Sequence, residues 1–458
     1  MGLAKGQATK GDIRLDRRRE AIVARVVATG SLVQRKVGGD RNGEVAMLNF
    51  LASPKVTAGD ILAPDVTLTK AAACGRRVVV PQDTTEVNFS GRDKRRKGLG
   101  PAGNGKTPGF FIHAAIAVDT RDEAVIGPVS AQIWTRETGE KVAYTKRAFA
   151  DKESVRWLEG AESAAEALEG AEEIIVVGDR ESDIYPVFAR KPERVHLVVR
   201  AARERKLACG GLMFEAAASW PVLGEQAVEV APKGIGGKGR VAKVLLKAGP
   251  VTIERPARGC SKTDPKLLTL VEAVEMDAPE PAPGRDPRVK PLVWRLVTTL
   301  SAKNLEEAME VVRLYRLRWR IEQLFRTLKK DGLDLEATQH EEASRIMKLA
   351  ALGLVASCRI MQLVDARDGG SRPATDALPP GHIELAAAIS DSLEGATERQ
   401  KNPWKQGSLS WLAWIAARLG GWNCYYGKPG PKTMAHGWKR LQAMLEGAVL
   451  AMGRLQLV

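Results

Sequence analysis

Two short β-branched runs that each end in an acid constrain this chain more than any other feature. They are Val78-Val79-Val80-Pro81-Gln82-Asp83 and Ile174-Ile175-Val176-Val177-Gly178-Asp179. Runs of this length and composition read as strands. Between them lie a further strand-like run, Phe110 to Val118, a weaker strand candidate from Ala124 to Trp134, and residues of helical composition at 152–170. The expectation is a sheet with helices on its faces, from whose neighbouring strand ends two acids project.

Beyond the second acid the pattern changes. Val195-His196-Leu197-Val198-Val199, Val244-Leu245-Leu246, Val251-Thr252-Ile253 and Leu292 to Thr298 are strand-like with turn residues between them, so residues 195–300 read as a mainly β insertion. Its Pro-rich stretch Ala278 to Gly284 reads as a loop. Residues 304–330 carry the strongest helical signal, stopped by Asp331-Gly332 in the manner of a glycine C-cap. The chain is then α-rich to Val458, apart from a linker-like stretch at 366–381 and the turn Gly427 to Pro431. At the other end, residues 11–65 form a small helical unit opened by Asp16-Arg17-Arg18-Arg19, a run that suits either a basic binding face or a solvated helix surface. No internal repeat is visible.

Charge narrows the partners. Seventy Lys and Arg against fifty-five Asp and Glu leave +15 at pH 7, a balance shared by proteins that meet phosphates, ribosomes or membrane surfaces. The five cysteines are scattered singly, without a C-x-x-C pair, which excludes a disulfide framework or zinc ribbon. With 458 residues the chain has room for two to four domains. The opening Met1 to Gly6 lacks a signal-peptide core and no run of eighteen apolar residues occurs, so a cytosolic location without a membrane partner is expected.

The segment from Leu314 to Lys329 is best read as a helical wheel. Turning each residue by about 100° puts Leu314, Leu317, Ile321, Leu324 and Leu328 on one core-facing stripe. The same arithmetic sets Tyr315, Arg318, Glu322, Arg326 and Lys329 within roughly 80° of one another beside that stripe. A carboxylate flanked by cations there suits a phosphate site with one acid spare for a metal. A solvated helix surface laced with Arg318–Glu322–Arg326 pairs at i, i+4 needs the same residues. Asp83 and Asp179 shift the balance, because two strand-end acids and one helical acid supply the oxygen ligands of a hard cation such as Mg²⁺. Two such ions can hold the attacking and leaving oxygens of an in-line phosphoryl displacement.

The helix pattern Tyr-x2-Arg-x3-Glu-x6-Lys, met by Tyr315, Arg318, Glu322 and Lys329, follows Asp83-Thr84-Thr85 and Asp179-Arg180-Glu181-Ser182-Asp183. Gly11-Asp12-Ile13-Arg14-Leu15-Asp16-Arg17-Arg18 stands near the beginning, and Gly407-Ser408-Leu409-Ser410-Trp411 and Arg418-Leu419-Gly420-Gly421-Trp422 near the end. Together these strings resemble the DDE transposases of the insertion-sequence-four group over nearly the whole chain. That resemblance implies an α/β protein: an RNase H-like catalytic core over 69–345 with the mainly β insertion at about 195–300. Flanking it would be a helical DNA-binding domain at 1–68 and an α-helical C-terminal domain at 346–458. Asp83, Asp179 and Glu322 become the catalytic, metal-binding triad by the same resemblance, with Mg²⁺ as cofactor and Mn²⁺ able to substitute.

The resemblance also assigns DNA contacts. Tyr315, Arg318, Lys329 and Arg200 would hold backbone phosphates, joined by Arg326 on the helix and by Arg17 and Arg18 near the N-terminus. Trp294 would stack on a flipped base; its other reading is a core residue of a β element. Two departures stand out. Tyr185 replaces a histidine that follows the second acid, and most of the helix preceding Gly11-Asp12 in the family is missing, which predicts weak end binding or an internally started form.

The implied function is cut-and-paste DNA transposition through phosphodiester hydrolysis, hairpin formation and strand transfer. The implied partners are terminal inverted repeats, target DNA and a second copy of the chain as a homodimer in the DNA complex, in a bacterial cytoplasm and at the nucleoid when DNA-bound. The basic run at 92–97 is either a DNA-contacting or a solvated loop, and the stripe Leu441, Met444, Leu445, Ala448 and Met452 suits either self-association or packing within the chain. Rival readings are an RNase H-like nuclease without strand transfer and a catalytically inactive or inhibitory DNA-binding derivative.

Overall fold

The computed structural model describes residues 13–89, 96–103, 105, 107–137, 147–230, 240–256, 265–276, 291–329, 333–370, 372–378, 380–425 and 427–455. Four helices come first: α1 (Ile13–Thr29), α2 (Gln34–Gly38), α3 (Arg41–Ala52) and α4 (Ala58–Ala73). Strands β1 (Arg77–Asn88), β2 (Gly100–Ala102), β3 (Thr107–Asp119) and β4 (Val125–Trp134) follow, then α5 (Arg156–Ala167), β5 (Glu173–Gly178), α6 (Tyr185–Arg190) and β6 (Val195–Arg200). The insertion contributes α7 (Met213–Ala218), β7 (Gly224–Val230), β8 (Arg240–Ile253), β9 (Lys266–Glu275) and β10 (Val293–Thr298). The remainder is helical: α8 (Leu305–Arg316), α9 (Trp319–Lys329), α10 (Ala343–Ala366), α11 (Ile383–Leu393), α12 (Leu409–Leu419) and α13 (Pro431–Leu455). This mixed α/β architecture agrees with the expected class.

Contacts divide the chain into two compact units, one made of 73–83 and 140–321, the other of 1–72, 84–139 and 322–458. In the first, β1, β5 and β6 are parallel neighbours, with Val80 opposite Val176 and Gly178 opposite Val199. Their apolar runs are unbroken because both faces are covered: Val78, Val79, Val80, Ile174, Ile175, Val177, Val195, Leu197 and Val198 are fully buried. Antiparallel β10 continues beside β6, and β9, β8 and β7 extend from it as a meander.

The insertion differs from its expected strands in two places. Residues 240–253 form one strand rather than two short ones, although Gly249-Pro250 reads as a break. Strand β7 pairs only with 240–246, so Pro250 faces β9 on one side alone, where its missing N–H costs no ladder bond. Strand β9 has no counterpart in the sequence reading, because Glu272 and Glu275 interrupt its apolar pattern. Both acids are nonetheless buried, Glu272 against the Arg295 guanidinium at 2.7 Å and Glu275 accepting the Leu292 N–H at 2.7 Å. The Pro-rich stretch 278–284 lies outside the described residues.

The second unit is built around α10. That helix is long and apolar enough to cross a membrane by length and composition, yet 83% of its most apolar window is buried in the protein. It is tied down by polar groups: Lys348 donates from Nζ to the Leu51 and Ser53 carbonyls at 3.0 and 2.6 Å, and Gln362 donates to the Ile126 carbonyl. Residues 366–381 are not a linker. Arg372 is buried there, bonded to Asp376 at 2.8 Å, and the Ala374 N–H reaches the Gly407 carbonyl at 2.7 Å. On α13 the expected stripe is divided: Leu441 and Leu445 are fully buried within the unit, Ala448 is half-buried and Met444 is exposed.

The predicted helix at 304–330 is two helices. Between α8 and α9 the chain tightens into i→i+3 hydrogen bonds, Leu317 N–H to Leu314 O at 3.1 Å and Arg318 N–H to Tyr315 O at 3.0 Å. The apolar stripe survives the break, with Leu314, Leu317, Ile321, Leu324 and Leu328 all buried. Helical periodicity alone does not register a one-turn overwinding. The predicted stop at Asp331-Gly332 lies outside the described residues.

Candidate active site

Three parallel strands run abreast. In the first unit Pro81 pairs with Val177, and two residues farther along each strand stand Asp83 and Asp179. Gly178 pairs with Val199, and one residue farther stand Asp179 and Arg200. Asp83, Asp179 and Arg200 therefore stand in one row at the carboxyl ends of β5 and β6, the side of an open α/β sheet where ligands collect; Asp83 itself is not at a strand end as expected, because β1 runs on to Asn88.

Local chemistry holds each member of the row. Asp179 ends β5 and caps the short 3₁₀ turn Arg180–Ser182, its carboxylate accepting the Glu181 N–H at 2.8 Å. The Ser182 hydroxyl bonds back to the Asp179 carbonyl at 2.6 Å and lies where a side chain on Gly178 would have to go, so only glycine fits there. Asp183, last of the same acidic string, is fully buried and serves the fold, accepting the Ala202 N–H at 2.7 Å and pairing with Arg205.

Helix α8 and the break after it close on the row. Arg318 donates from Nη1 to Asp83 Oδ2 at 3.3 Å; the two side chains are only 10% and 18% exposed. Tyr315 is buried, and its hydroxyl hydrogen-bonds with Arg318 and Arg200. Burial raises the Tyr315 phenol above its usual range, against the opposing pull of Arg318 and Arg200. Burial also lowers Arg200, reinforced by the positive charges of Arg180 and Arg318 and opposed by Tyr315. Arg180, which the sequence reading passes over, thus belongs to this cluster; its place directly after the second acid is the signal for it. Trp294 on β10 is buried, its ring edge-on to Tyr315 at a centroid distance of 5.3 Å.

The remaining expected residues lie in the second unit. Glu322 is half-buried on α9, Arg326 is exposed one turn later, and Lys329 is half-buried. Lys329 donates to the Thr85 hydroxyl at 3.3 Å and to the Glu86 carbonyl, with Glu336 at 3.6 Å. Thr84 bonds through its hydroxyl to His113 Nδ1 at 2.8 Å, so both threonines of the Asp-Thr-Thr string have partners. Arg17 and Arg18 are exposed on α1, but Arg19 of the same run is buried. Of the basic run 92–97, residues 92–95 lie outside the described residues; Arg96 lies over the Phe89 ring and donates to the Thr338 carbonyl at 2.7 Å.

The donors available are of the type a hard divalent cation takes, carboxylate oxygens held by rigid strands. Among the described residues no three His, Cys, Asp or Glu side chains are gathered in a metal-holding group. A guanidinium is the present partner of Asp83. Residues 76–359, well over half the chain, match the family described as the transposase DDE domain.

Proposed function

Because this chain belongs to the DDE transposase family, we propose that it is a cut-and-paste transposase of the insertion-sequence-four group. The family acts on DNA by cleavage and strand transfer and generally uses divalent metal ions. The observation that carries the finer reading is the row Asp83, Asp179 and Arg200 on adjacent strands, with Tyr315 and Arg318 against it.

Asp83, Asp179 and Glu322 are the residues that would hold the cation, with Mg²⁺ suited to this donor type and Mn²⁺ able to replace it. Bound there, it supplies Lewis-acid charge for phosphodiester displacement. Arg200 and Arg318 neutralise and orient the phosphate beside the scissile bond, and Tyr315 holds the two guanidinium groups in register. Arg326 and Lys329 are further phosphate contacts on this reading, while Arg17 and Arg18 grip the backbone of the element's end. Catalysis on this reading is positioning and charge neutralisation, with no side-chain nucleophile.

The reaction has four displacements. Water adds to phosphorus as the 3′ oxygen leaves and takes up a proton. That 3′-hydroxyl attacks the opposite strand to give a hairpin, a second water opens it, and the freed 3′ end joins target DNA. On this reading Trp294, buried edge-on against Tyr315 in this structure, leaves that contact to stack on the base unstacked by the hairpin. A homodimer in the DNA complex belongs to the same reading.

Incubating purified protein with the DNA flanking its own gene, in Mg²⁺ and beside Glu322→Gln, tests the reading. New 3′ ends at a matched pair of inverted repeats, absent with the variant, are expected together with joined products. Breaks without joining would leave a nuclease, and binding without breaks an inactive or inhibitory derivative.

A further inference from the structure

We propose that Arg318 exchanges between the Asp83 carboxylate and a DNA phosphate, so that Asp83 takes a divalent cation readily only once DNA is engaged. The inference rests on the reading of Asp83 as a cation ligand and concerns how that site is regulated.

Three observations lead to it. Arg318 Nη1 lies 3.3 Å from Asp83 Oδ2, and the two side chains are only 10% and 18% exposed. A pair this sheltered is little screened by salt, so a cation approaching Asp83 competes with a guanidinium already in place. Second, the row is built to attract anions first. The Arg180 and Arg318 guanidinium groups act on Arg200, and those of Arg200 and Arg318 act on Tyr315, beside the carboxylates of Asp83 and Asp179. Guanidinium groups already gathered beside the Asp83 carboxylate disfavour a divalent ion and draw a phosphate. Third, Arg318 sits in the one-turn break between α8 and α9 rather than inside either helix. A short 3₁₀ turn of this kind is a frequent hinge, and it lets the side chain re-aim without unwinding a helix.

A guanidinium binds carboxylate and phosphate through the same fork of N–H groups, so the two partners are alternatives for one side chain. Transfer of Arg318 to phosphate removes a positive charge from Asp83 and brings a negative one near, and both changes favour a cation. Linkage makes the effect mutual: DNA raises cation affinity and the cation raises DNA affinity by the same factor. The consequence is a site that holds its cation loosely away from DNA and tightly on it.

Titrating Mn²⁺ into the full chain, with free Mn²⁺ read by electron paramagnetic resonance, tests this without any cleavage assay. A short duplex of arbitrary sequence at low salt serves as the phosphate source. Wild type should bind Mn²⁺ about tenfold more tightly with the duplex than without it, within the usual range of coupling. Arg318→Gln should bind Mn²⁺ about tenfold more tightly than wild type without DNA and lose most of the duplex effect. Arg318→Lys, which keeps the positive charge, should return to weak binding. A merely structural role for Arg318 predicts weaker binding in both variants.

Equal Mn²⁺ affinity of wild type and Arg318→Gln without DNA would overturn the exchange. Asp83→Asn separates this from a failure of the underlying reading. If Asp83→Asn removes the tight binding while Arg318→Gln changes nothing, only the exchange falls. If Asp83→Asn leaves Mn²⁺ binding unaltered with and without duplex, Asp83 is not a cation ligand and both fall.

Discussion

Arg19 and Asp65 form a buried ion pair that joins α1 to α4, and Arg359 of α10 approaches the second Asp65 oxygen at 3.2 Å. Arg19 also donates from Nε to the Ile61 carbonyl at 2.6 Å. One basic run therefore serves two purposes, since Arg17 and Arg18 point to solvent and Arg19 points to the core. Arg19→Ala leaves the Asp65 carboxylate short of a partner in a buried place and should cost about 3 kcal/mol in a denaturant melt.

Arg17→Ala and Arg18→Ala should each change stability by less than about 0.5 kcal/mol. If they grip DNA phosphates, each should weaken binding across all sequences and reduce the slope of log affinity against log salt by about 1. An unchanged salt slope in a gel-shift series would remove these two residues from the DNA contact.

Asp83→Asn, Asp179→Asn and Glu322→Gln should each abolish cleavage while leaving binding of the element's end nearly intact. Parallel gel-shift and cleavage assays read both properties on the same DNA. Cutting at the wild-type rate by any one of the three would take that residue out of the triad.

Trp294 is buried against Tyr315, so Trp294→Ala should destabilise the protein by about 3 kcal/mol through the cavity it leaves. Trp294→Phe keeps more of the packing and isolates the stacking role. It should slow hairpin formation more than first-strand nicking on a denaturing gel; equal slowing of both would leave Trp294 a core residue only.

His340 is buried, and its imidazole is held below its ordinary pKa first by burial and then by the Arg345 charge. The folded protein therefore resists protonating it, whereas the unfolded chain takes up the proton near pH 6.5. Between those two values the unfolded state binds more protons, so stability falls as pH drops below about 6.5. Thermal melts from pH 8 to pH 5 should show this loss, and His340→Gln should flatten it.

How legible the protein is in its sequence varies with the range of the interaction concerned. The runs at 78–80, 174–177 and 195–199 are strands as expected, because unbroken β-branched apolar stretches have few other stable fates. Strand β9 is illegible because two buried acids, one paired with Arg295 of β10 and the other with the Leu292 N–H just before it, mimic a surface pattern. The apparent linker at 366–381 is ordered by Arg372, whose partners at Val125 and Asp376 no local pattern announces.

The sequence by itself determined the residue types of the site and their order: an acid after each of two β-branched runs, a tyrosine, an arginine and a third acid at helical spacing, and a basic surplus suited to phosphate. These follow from composition and short-range periodicity. Tertiary structure alone decided that Asp83, Asp179 and Arg200 stand abreast, because strand register sets Arg77 opposite Glu173 and Ile174 opposite Val195, partners that no local pattern announces. It also decided that the helix breaks before Trp319, that Arg318 takes Asp83 as its partner, and that Arg19 turns inward. Each of these depends on which buried charge finds which neighbour, and that is settled only when the elements pack.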